Sequence, residues 1–310
     1  MDIRRVERQE VFMNTSISIQ VYSDQSTILT QEKIQEAFGC FARVVQKFTR
    51  FDATSELSRL NNNSGKPFPV SSELFNLIVY MIELSRLTDG KYDPTIIDLL
   101  ETYGYNSTYD FHNLNDPDLY DKVSKLVRSR PSPMEIKLDE EKLTVCLAKN
   151  QRLDLGSIGK GYAIDLAYEV LDGFPAVMIN AGGDIRLKGP KPDGLPWTLN
   201  LSYSQLPNRE LHQETSLGSI ELSTGSLCGS GGWARKVRFF HHLINPKTGI
   251  PINEVSQTFV YAPKALDADA WATVLFTTGR AGLSLLQAKG YEGIVIDEAG
   301  KLFPSTGFKI

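Results

Sequence analysis

The sequence has few cysteines, no long apolar run and little net charge. Its three cysteines, Cys40, Cys146 and Cys228, are far apart along 310 residues, which excludes a disulfide framework and a zinc site of closely spaced ligands. No run of 18 apolar residues is present to span a membrane, and the first residues lack the apolar segment of a signal peptide. A net charge of −4 predicts no general affinity for nucleic acid. We therefore expect a soluble cytoplasmic protein, or one whose signal segment was removed.

The secondary-structure signals alternate between strand and helix without a regular βαβ repeat. Alternation over Val11–Tyr22 predicts a half-buried strand, and helical spacing over Gln31–Phe48 predicts an amphipathic helix. Such interspersed elements are typical of an α+β fold with mixed, largely antiparallel sheets and packed helices. We expect one domain of two lobes over residues 1–310, with a polar insertion at about 106–133.

The remaining predicted elements follow from the same periodicities. Strands are predicted at Glu135–Leu147 (a hairpin), Ala176–Ile179, Trp197–Ser202, Gly218–Leu222, Val237–Phe240, Gln257–Ala262, Ile294–Asp297 and Leu302–Phe303. Helices are predicted at Ser72–Leu87 with Ser72 as N-cap, near Leu119–Val127, and at Leu266–Thr278 and Ala281–Ala288.

The most informative stretch is Asp154–Asp165, where three glycines fall within six residues between an apolar run and a helical pattern. Glycine allows close approach of a ligand to the backbone, and a helix N-terminus favours phosphate. Lys160 adds a positive charge there and Asp154 a carboxylate. The spacing matches neither the Walker loop nor the dinucleotide-binding fingerprint. An ordinary strand-to-helix turn with a surface lysine is the alternative interpretation.

A second candidate lies at the start of the apolar helix near residue 266. Asp269 and Thr273 are four residues apart, so they share one helical face. A carboxylate among apolar residues is costly unless it is paired, and Mg²⁺ would pair it, with the Thr273 oxygen as a second ligand. The alternative is an acidic residue favoured by the helix dipole, with Thr273 bonded back to a carbonyl.

Two further patterns are compatible with either a site or a plain turn. His241 and His242 are adjacent on a predicted strand, so at most one of them faces a given site. A histidine there is a candidate base or ligand contact, or simply the polar end of a strand. Glycine clusters at 180–184 and 229–233 are candidate turns.

Taken in order, these motifs closely resemble those of the ApbE-type FAD:protein FMN transferases, a flavin transferase family. The resemblance covers roughly residues 13–308. The segments that carry it are Ser55–Asn61, Tyr92–Thr95, Asp154–Asp165, Asn180–Ile185, His242–Gly249 and Ala268–Thr273.

The resemblance implies an enzyme that binds FAD as substrate and Mg²⁺ as cofactor. Such enzymes transfer FMN to a threonine of an acceptor protein, in a short Ser/Thr-containing motif, and release AMP. By position, the implied metal ligands are Asp269, Thr273 and the Ser157 carbonyl. The implied catalytic residue, which activates the acceptor hydroxyl, is His242. The implied FAD-pocket residues are Met13, Phe51, Lys91, Tyr92, Asp93, Asp154, Lys160 and Leu243.

Four positions depart from the pattern of the family. Phe51 stands where members often have tyrosine, Asn14 where glycine is common, and Ser157 and Gly159 where glycine and alanine are more usual. Two alternatives to the transferase stay open. An FAD pyrophosphatase that gives FMN and AMP would use the same metal and pyrophosphate site, and Phe51 and Asn14 are compatible with a non-catalytic FAD-binding protein. We expect no nucleic-acid partner and no membrane-spanning segment.

Overall fold

Strands form in the segments where apolar and polar residues alternate. The computed structural model describes residues 3–204, 214–232, 236–237 and 240–310. The strands are β1 (Arg4–Phe12), β2 (Thr15–Ser23), β3 (Phe68–Pro69), β4 (Lys137–Asp139), β5 (Thr144–Cys146), β6 (Ala176–Ala181), β7 (Asp184–Lys188), β8 (Trp197–Ser204), β9 (Glu214–Leu222), β10 (Gly225–Gly231), β11 (Val255–Ala262), β12 (Glu292–Asp297) and β13 (Leu302–Pro304).

Helices form where apolar residues recur at helical spacing. They are α1 (Thr27–Phe48), α2 (Glu56–Asn61), α3 (Ser72–Leu87), α4 (Ile97–Thr102), α5 (Leu119–Ser129), α6 (Gly159–Val170), α7 (Ala265–Thr278) and α8 (Gly282–Ala288). Within the described ranges, no helix combines the length and the apolar character needed to cross a membrane.

The chain divides into two compact units, which are Met1–Val45, Gly156–Gly231 and Glu254–Ile310 in the first and Gln46–Leu155 and Gly232–Asn253 in the second. In the first unit, eight described strands form one sheet in the order β1-β2-β6-β7-β10-β11-β12-β13. Neighbouring strands in this order are antiparallel throughout the sheet. The predicted α+β class with largely antiparallel sheets is therefore confirmed.

The sheet of the first unit is covered on both faces. Adjacent residues of a strand point to opposite faces, as Leu227 and Cys228 of β10 do. Leu227 packs with Trp197 and Leu199 of the β8–β9 hairpin, whereas the Cys228 thiol contacts the carbonyl oxygen of Ala265 in α7. Helix α7 is apolar around most of its surface because it is buried on most sides.

The described part of the second unit combines the helices α2, α3, α4 and α5 with the small sheet β3-β5-β4. The predicted polar insertion at 106–133 contains α5, close to the predicted helix. Leu119 and Val123 of α5 pack against Leu99 and Tyr103. Burial of the Tyr103 ring raises the pKa of its hydroxyl to about 12. The insertion therefore supplies part of the core of its unit.

Several predicted boundaries are wrong, each for a local reason. The strand predicted over Val11–Tyr22 is the end of β1, a turn at Met13–Asn14 and β2. The N-cap of α3 is Ser71 and not Ser72, because the Ser71 side chain accepts the hydrogen bond from the Leu74 backbone N–H. Val237 and Phe240 form only an isolated bridge, and residues 238–239 lie outside the described residues.

The glycine cluster at 229–233 is a candidate turn by sequence, but Gly229 and Gly231 lie in β10. A Cβ at Gly231 would lie 2.1 Å from the side-chain oxygen of Gln257 on the neighbouring strand β11. Glycine is therefore used here for close approach between strands rather than for a turn. Trp233 lies outside the described residues.

Gly161 sets the distance between α6 and α7. A Cβ at Gly161 would lie 2.3 Å from the carbonyl oxygen of Ala265, which is backbone and cannot rotate away. We expect Gly161→Ala to lower the free energy of unfolding by about 2 kcal/mol, because the added methyl overpacks this contact. In an unhindered helix the same change would stabilise by up to about 1 kcal/mol.

Gly159→Ala is the matched control, because no heavy atom lies within 4 Å of a Cβ at Gly159 in the same helix. Chemical denaturation of both variants and the wild type measures the difference. Equal stability of the two variants would show that α6 and α7 can separate without cost.

Candidate active site

Two carboxylates hold the N-termini of α6 and α7 together. Asp165 of α6 accepts hydrogen bonds from the backbone N–H groups of Ala265 at 2.8 Å and Leu266 at 3.0 Å. Asp269 of α7 accepts one from the backbone N–H of Gly161 at 2.9 Å. The first N–H groups of a helix have no partner within it, and its dipole favours negative charge there. Each helix therefore supplies a carboxylate that the other needs, and Asp269 is held in place.

Asp165 is also the partner of a buried cation. The Arg186 guanidinium pairs with Asp165 and lies 3.6 Å from the centre of the Tyr168 ring. Burial raises the pKa of the Asp165 carboxyl, while Arg186 and the two backbone N–H groups act in the opposite direction. Asp165 therefore links α6 to the start of α7 and to Arg186 of β7.

Lys160 lies between two carboxylates. Its ammonium nitrogen is 3.4 Å from the Asp269 carboxylate and in contact with the Asp184 carboxylate. Asp184 also accepts a hydrogen bond from the backbone N–H of Gly229 at 3.0 Å. Both acids are 3% exposed. The glycine-rich turn with Lys160 and the helix with Asp269 therefore meet, as the proposed shared site requires.

Thr273 lies one helical turn after Asp269 on the same face of α7. Its hydroxyl oxygen is 3.3 Å from that of Ser230 in β10. This contact with Ser230, rather than a bond back to a helix carbonyl, is the one that the described residues show for the Thr273 hydroxyl. Ser157 lies in the turn at 156–158 that leads into α6.

The donors around Asp269 suit a hard cation. They are carboxylate and hydroxyl oxygens, and an ammonium group already lies between the two acids. Among the described residues, no three or more His, Cys, Asp or Glu side chains lie close enough together to hold a metal ion by themselves. Mg²⁺ is commonly held by one or two carboxylates together with water and substrate phosphates, so this sparse set fits Mg²⁺.

Met13 lies at the same end of the sheet as Asp184. Met13 and Asn14 form the two-residue turn between β1 and β2, with φ of 53° and 57°. Asparagine tolerates this left-handed conformation, whereas it is costly for methionine. The backbone N–H of Gly182, two residues before Asp184, donates to the Ser16 carbonyl at 3.1 Å. Strand pairing therefore brings the Met13 turn to the edge where Asp184 begins β7.

The other predicted residues lie in the second unit, where Arg50 organises three of its segments. Its guanidinium lies 2.7 Å from the Asp154 carboxylate and donates to the Tyr105 carbonyl at 2.7 Å. It also lies 4.3 Å from the centre of the Phe51 ring, which is about half exposed. Arg50 thus brings Phe51 and Asp154 together within this unit.

The segment Lys91–Asp93 is held by a residue that sequence reasoning missed. Asp93 pairs with Arg130, and it accepts hydrogen bonds from the Thr95 backbone N–H and hydroxyl at 2.7 Å each. Arg130 also donates to the Pro246 carbonyl at 3.3 Å. Tyr92 is buried, and Lys91 is exposed.

The two adjacent histidines differ in burial. His241 is buried, and its Nδ1 accepts a hydrogen bond from the Leu243 backbone N–H at 3.2 Å. Its Nε2 must then carry the proton that it shares with the Ile252 carbonyl at 3.0 Å. Burial lowers the pKa of His241 to about 4, so this ring is neutral at pH 7. His241 is structural.

His242 is half-buried, and its ring centre lies 6.3 Å from that of Tyr105 in a T-shaped contact. Leu243, next to it, is buried. The roles predicted for both residues stay predictions.

Comparisons with known proteins give the same family throughout. A family model described as the ApbE family matches residues 13–295. The FAD:protein FMN transferase of Haemophilus influenzae is 28% identical over 278 residues, which cover 86% of this chain and 79% of that protein. That of Vibrio cholerae is 27% identical over 308 residues, with 96% and 90% covered.

Solved structures share the fold over nearly the full length. The ApbE protein of Thermotoga maritima matches with a TM-score of 0.86 at 25% identity, covering 98% of this chain and 97% of that one. The flavin transferase ApbE of Vibrio cholerae matches with a TM-score of 0.83 at 24% identity and 99% coverage of both chains.

Proposed function

The chain belongs to the ApbE family, and from this membership we infer that it is a FAD:protein FMN transferase. We propose further that it depends on Mg²⁺, that its acceptor is a threonine hydroxyl of another protein, and that it releases AMP. The observation that carries the finer proposal is the position of the Lys160 ammonium, 3.4 Å from the Asp269 carboxylate at the N-terminus of α6.

The charges of this site suit a dinucleotide pyrophosphate. Lys160 and the N-terminal N–H groups of α6 supply positive charge for phosphate oxygens. Asp269, Thr273 and the Ser157 carbonyl supply the hard oxygens that would hold Mg²⁺. A bound Mg²⁺ would add Lewis-acid charge at the phosphate oxygens. Because these groups are held by α6, α7 and β10 in advance, positioning and electrostatics would account for most of the rate.

The proposed transfer exchanges one phosphorus–oxygen bond for another. The acceptor oxygen forms a bond to the phosphorus of the FMN moiety, and the bond from that phosphorus to the bridging oxygen breaks. The bridging oxygen leaves with AMP, and the hydroxyl proton passes to a base, for which His242 is the proposed residue.

We propose that eight residues contact FAD. They are Met13, Phe51, Lys91, Tyr92, Asp93, Asp154, Lys160 and Leu243.

The test is incubation of the purified protein with FAD, Mg²⁺ and a candidate acceptor protein. We expect covalent flavin on the acceptor, seen as gel fluorescence and as the mass of one FMN, with one AMP released for each flavin attached. Chelator should stop both products, and an acceptor whose modified threonine is replaced by alanine should remain unlabelled.

The same assay separates the alternatives. Free FMN and AMP in the absence of any acceptor would indicate an FAD pyrophosphatase. Intact FAD after long incubation with Mg²⁺ and acceptor would contradict both catalytic proposals.

A further inference from the structure

The Lys160 ammonium is shared between two carboxylates that are themselves almost completely buried. Asp184 and Asp269 each have 4% of their side chain exposed, whereas 25% of the Lys160 side chain is exposed. Burial of two acids beside one cation leaves an uncompensated negative charge. The site therefore carries one more negative charge than it needs to hold Lys160.

The two carboxylates are not equivalent. Asp269 shares its helical face with Thr273, whose hydroxyl oxygen lies 3.3 Å from that of Ser230, so two hydroxyl oxygens lie one helical turn along from it. Asp184 begins β7, and its other oxygen is engaged by the Gly229 backbone N–H at 3.0 Å. Only Asp269 has the side-chain surroundings of a cation ligand.

We propose that Asp184 is a positioning residue that holds the Lys160 ammonium and so leaves the Asp269 carboxylate available to a divalent cation. The proposal rests on the proposed function, because it assigns a role within the same site. A divalent cation and the ammonium repel each other and compete for Asp269. Asp184 resolves this competition because it binds the ammonium from β7.

The variant Asp184→Asn tests this role, because it keeps the size of the side chain and the acceptor for the Gly229 N–H but removes the charge. Lys160 would then pair with Asp269 alone. We expect the Mg²⁺ concentration for half-maximal FAD binding to rise roughly tenfold, as is usual when a residue supporting a metal ligand is changed. Quenching of flavin fluorescence measures it, and calorimetry measures Mg²⁺ binding without FAD.

A double variant shows whether Asp184 acts through Lys160. In the Lys160→Met background the competing ammonium is absent, so Asp184→Asn should change Mg²⁺ affinity by less than about threefold. Lys160→Met alone should bind Mg²⁺ more tightly than the wild type in the absence of FAD. This last measurement keeps the proposal testable even where Asp184→Asn fails to fold.

Asp165→Asn is the matched control, since it also neutralises a carboxylate that pairs with a cation and with backbone N–H groups in this unit. It should lower stability without moving the Mg²⁺ dependence of the folded protein. The same Mg²⁺ dependence in Asp184→Asn and wild type, or weaker Mg²⁺ binding in Lys160→Met, would overturn this inference alone. A wild type that binds no FAD with any Mg²⁺ concentration would overturn the proposed function as well.

Discussion

Asp269→Ala is expected to reduce FMN transfer by at least about a thousandfold, because it removes the carboxylate that we propose as a ligand of the divalent cation at the pyrophosphate. The loss should appear in the rate at saturating FAD and should not be restored by higher Mg²⁺. Covalent flavin on the acceptor and AMP release under single-turnover conditions measure it. The variant also loses the partner of the Gly161 N–H, which costs about 1–3 kcal/mol of stability.

Asp269→Asn separates these two effects. The amide oxygen can still accept the Gly161 hydrogen bond, so the packing of α6 on α7 should survive, but a neutral amide is a poor Mg²⁺ ligand. We expect Asp269→Asn to unfold close to the wild-type midpoint and to be about as inactive as Asp269→Ala. Full Mg²⁺-dependent transfer by Asp269→Asn would mean that the cation is held elsewhere.

Sequence predicted best the elements whose pattern of apolar residues lies within one continuous segment. The helical pattern that begins at Leu266 is α7, and the hairpin predicted at Glu135–Leu147 is β4 and β5. The same locality explains why Asp269 and Thr273 could be placed on one face of a helix, because a separation of four residues settles it. The resemblance to a family then supplied the expected metal ligands and FAD contacts, which periodicity alone cannot give.

What sequence reasoning missed depends on partners distant in the chain. Asp184 lies in a glycine-rich segment that carries part of the family resemblance but no predicted site residue, and its contact with Lys160 becomes visible when β7 pairs with β10. Arg130 lies in a polar insertion, yet it pairs with Asp93. By sequence Gly231 resembles a turn residue, and only the fold shows that the side chain of Gln257 on the neighbouring strand leaves no room for a Cβ there. Nothing in the spacing of one segment encodes these contacts.

The site also shows why charge has to be counted over several segments. Taken alone, Lys160 is a surface lysine after a glycine-rich turn, and Asp269 is an acid near a helix start. In the fold they are 3.4 Å apart with Asp184 as a third member. A group of two acids and one base can accept a divalent cation and then a pyrophosphate, because each addition offsets the charge left by the one before it.

Lys160→Met is expected to weaken FAD binding roughly a hundredfold at saturating Mg²⁺, because it removes the charge-assisted contact to phosphate that we propose for Lys160 at this partly buried site. Methionine keeps most of the length and apolar stem of lysine, so packing against α7 should change little; Lys160→Ala should weaken binding at least as much. Titration of FAD by fluorescence quenching, with AMP added separately, measures the effect. Weaker FAD binding together with tighter Mg²⁺ binding in the same variant would place the ammonium where it competes with the metal and contacts the substrate. FAD affinity equal to the wild type would instead make Lys160 only the structural partner of Asp184.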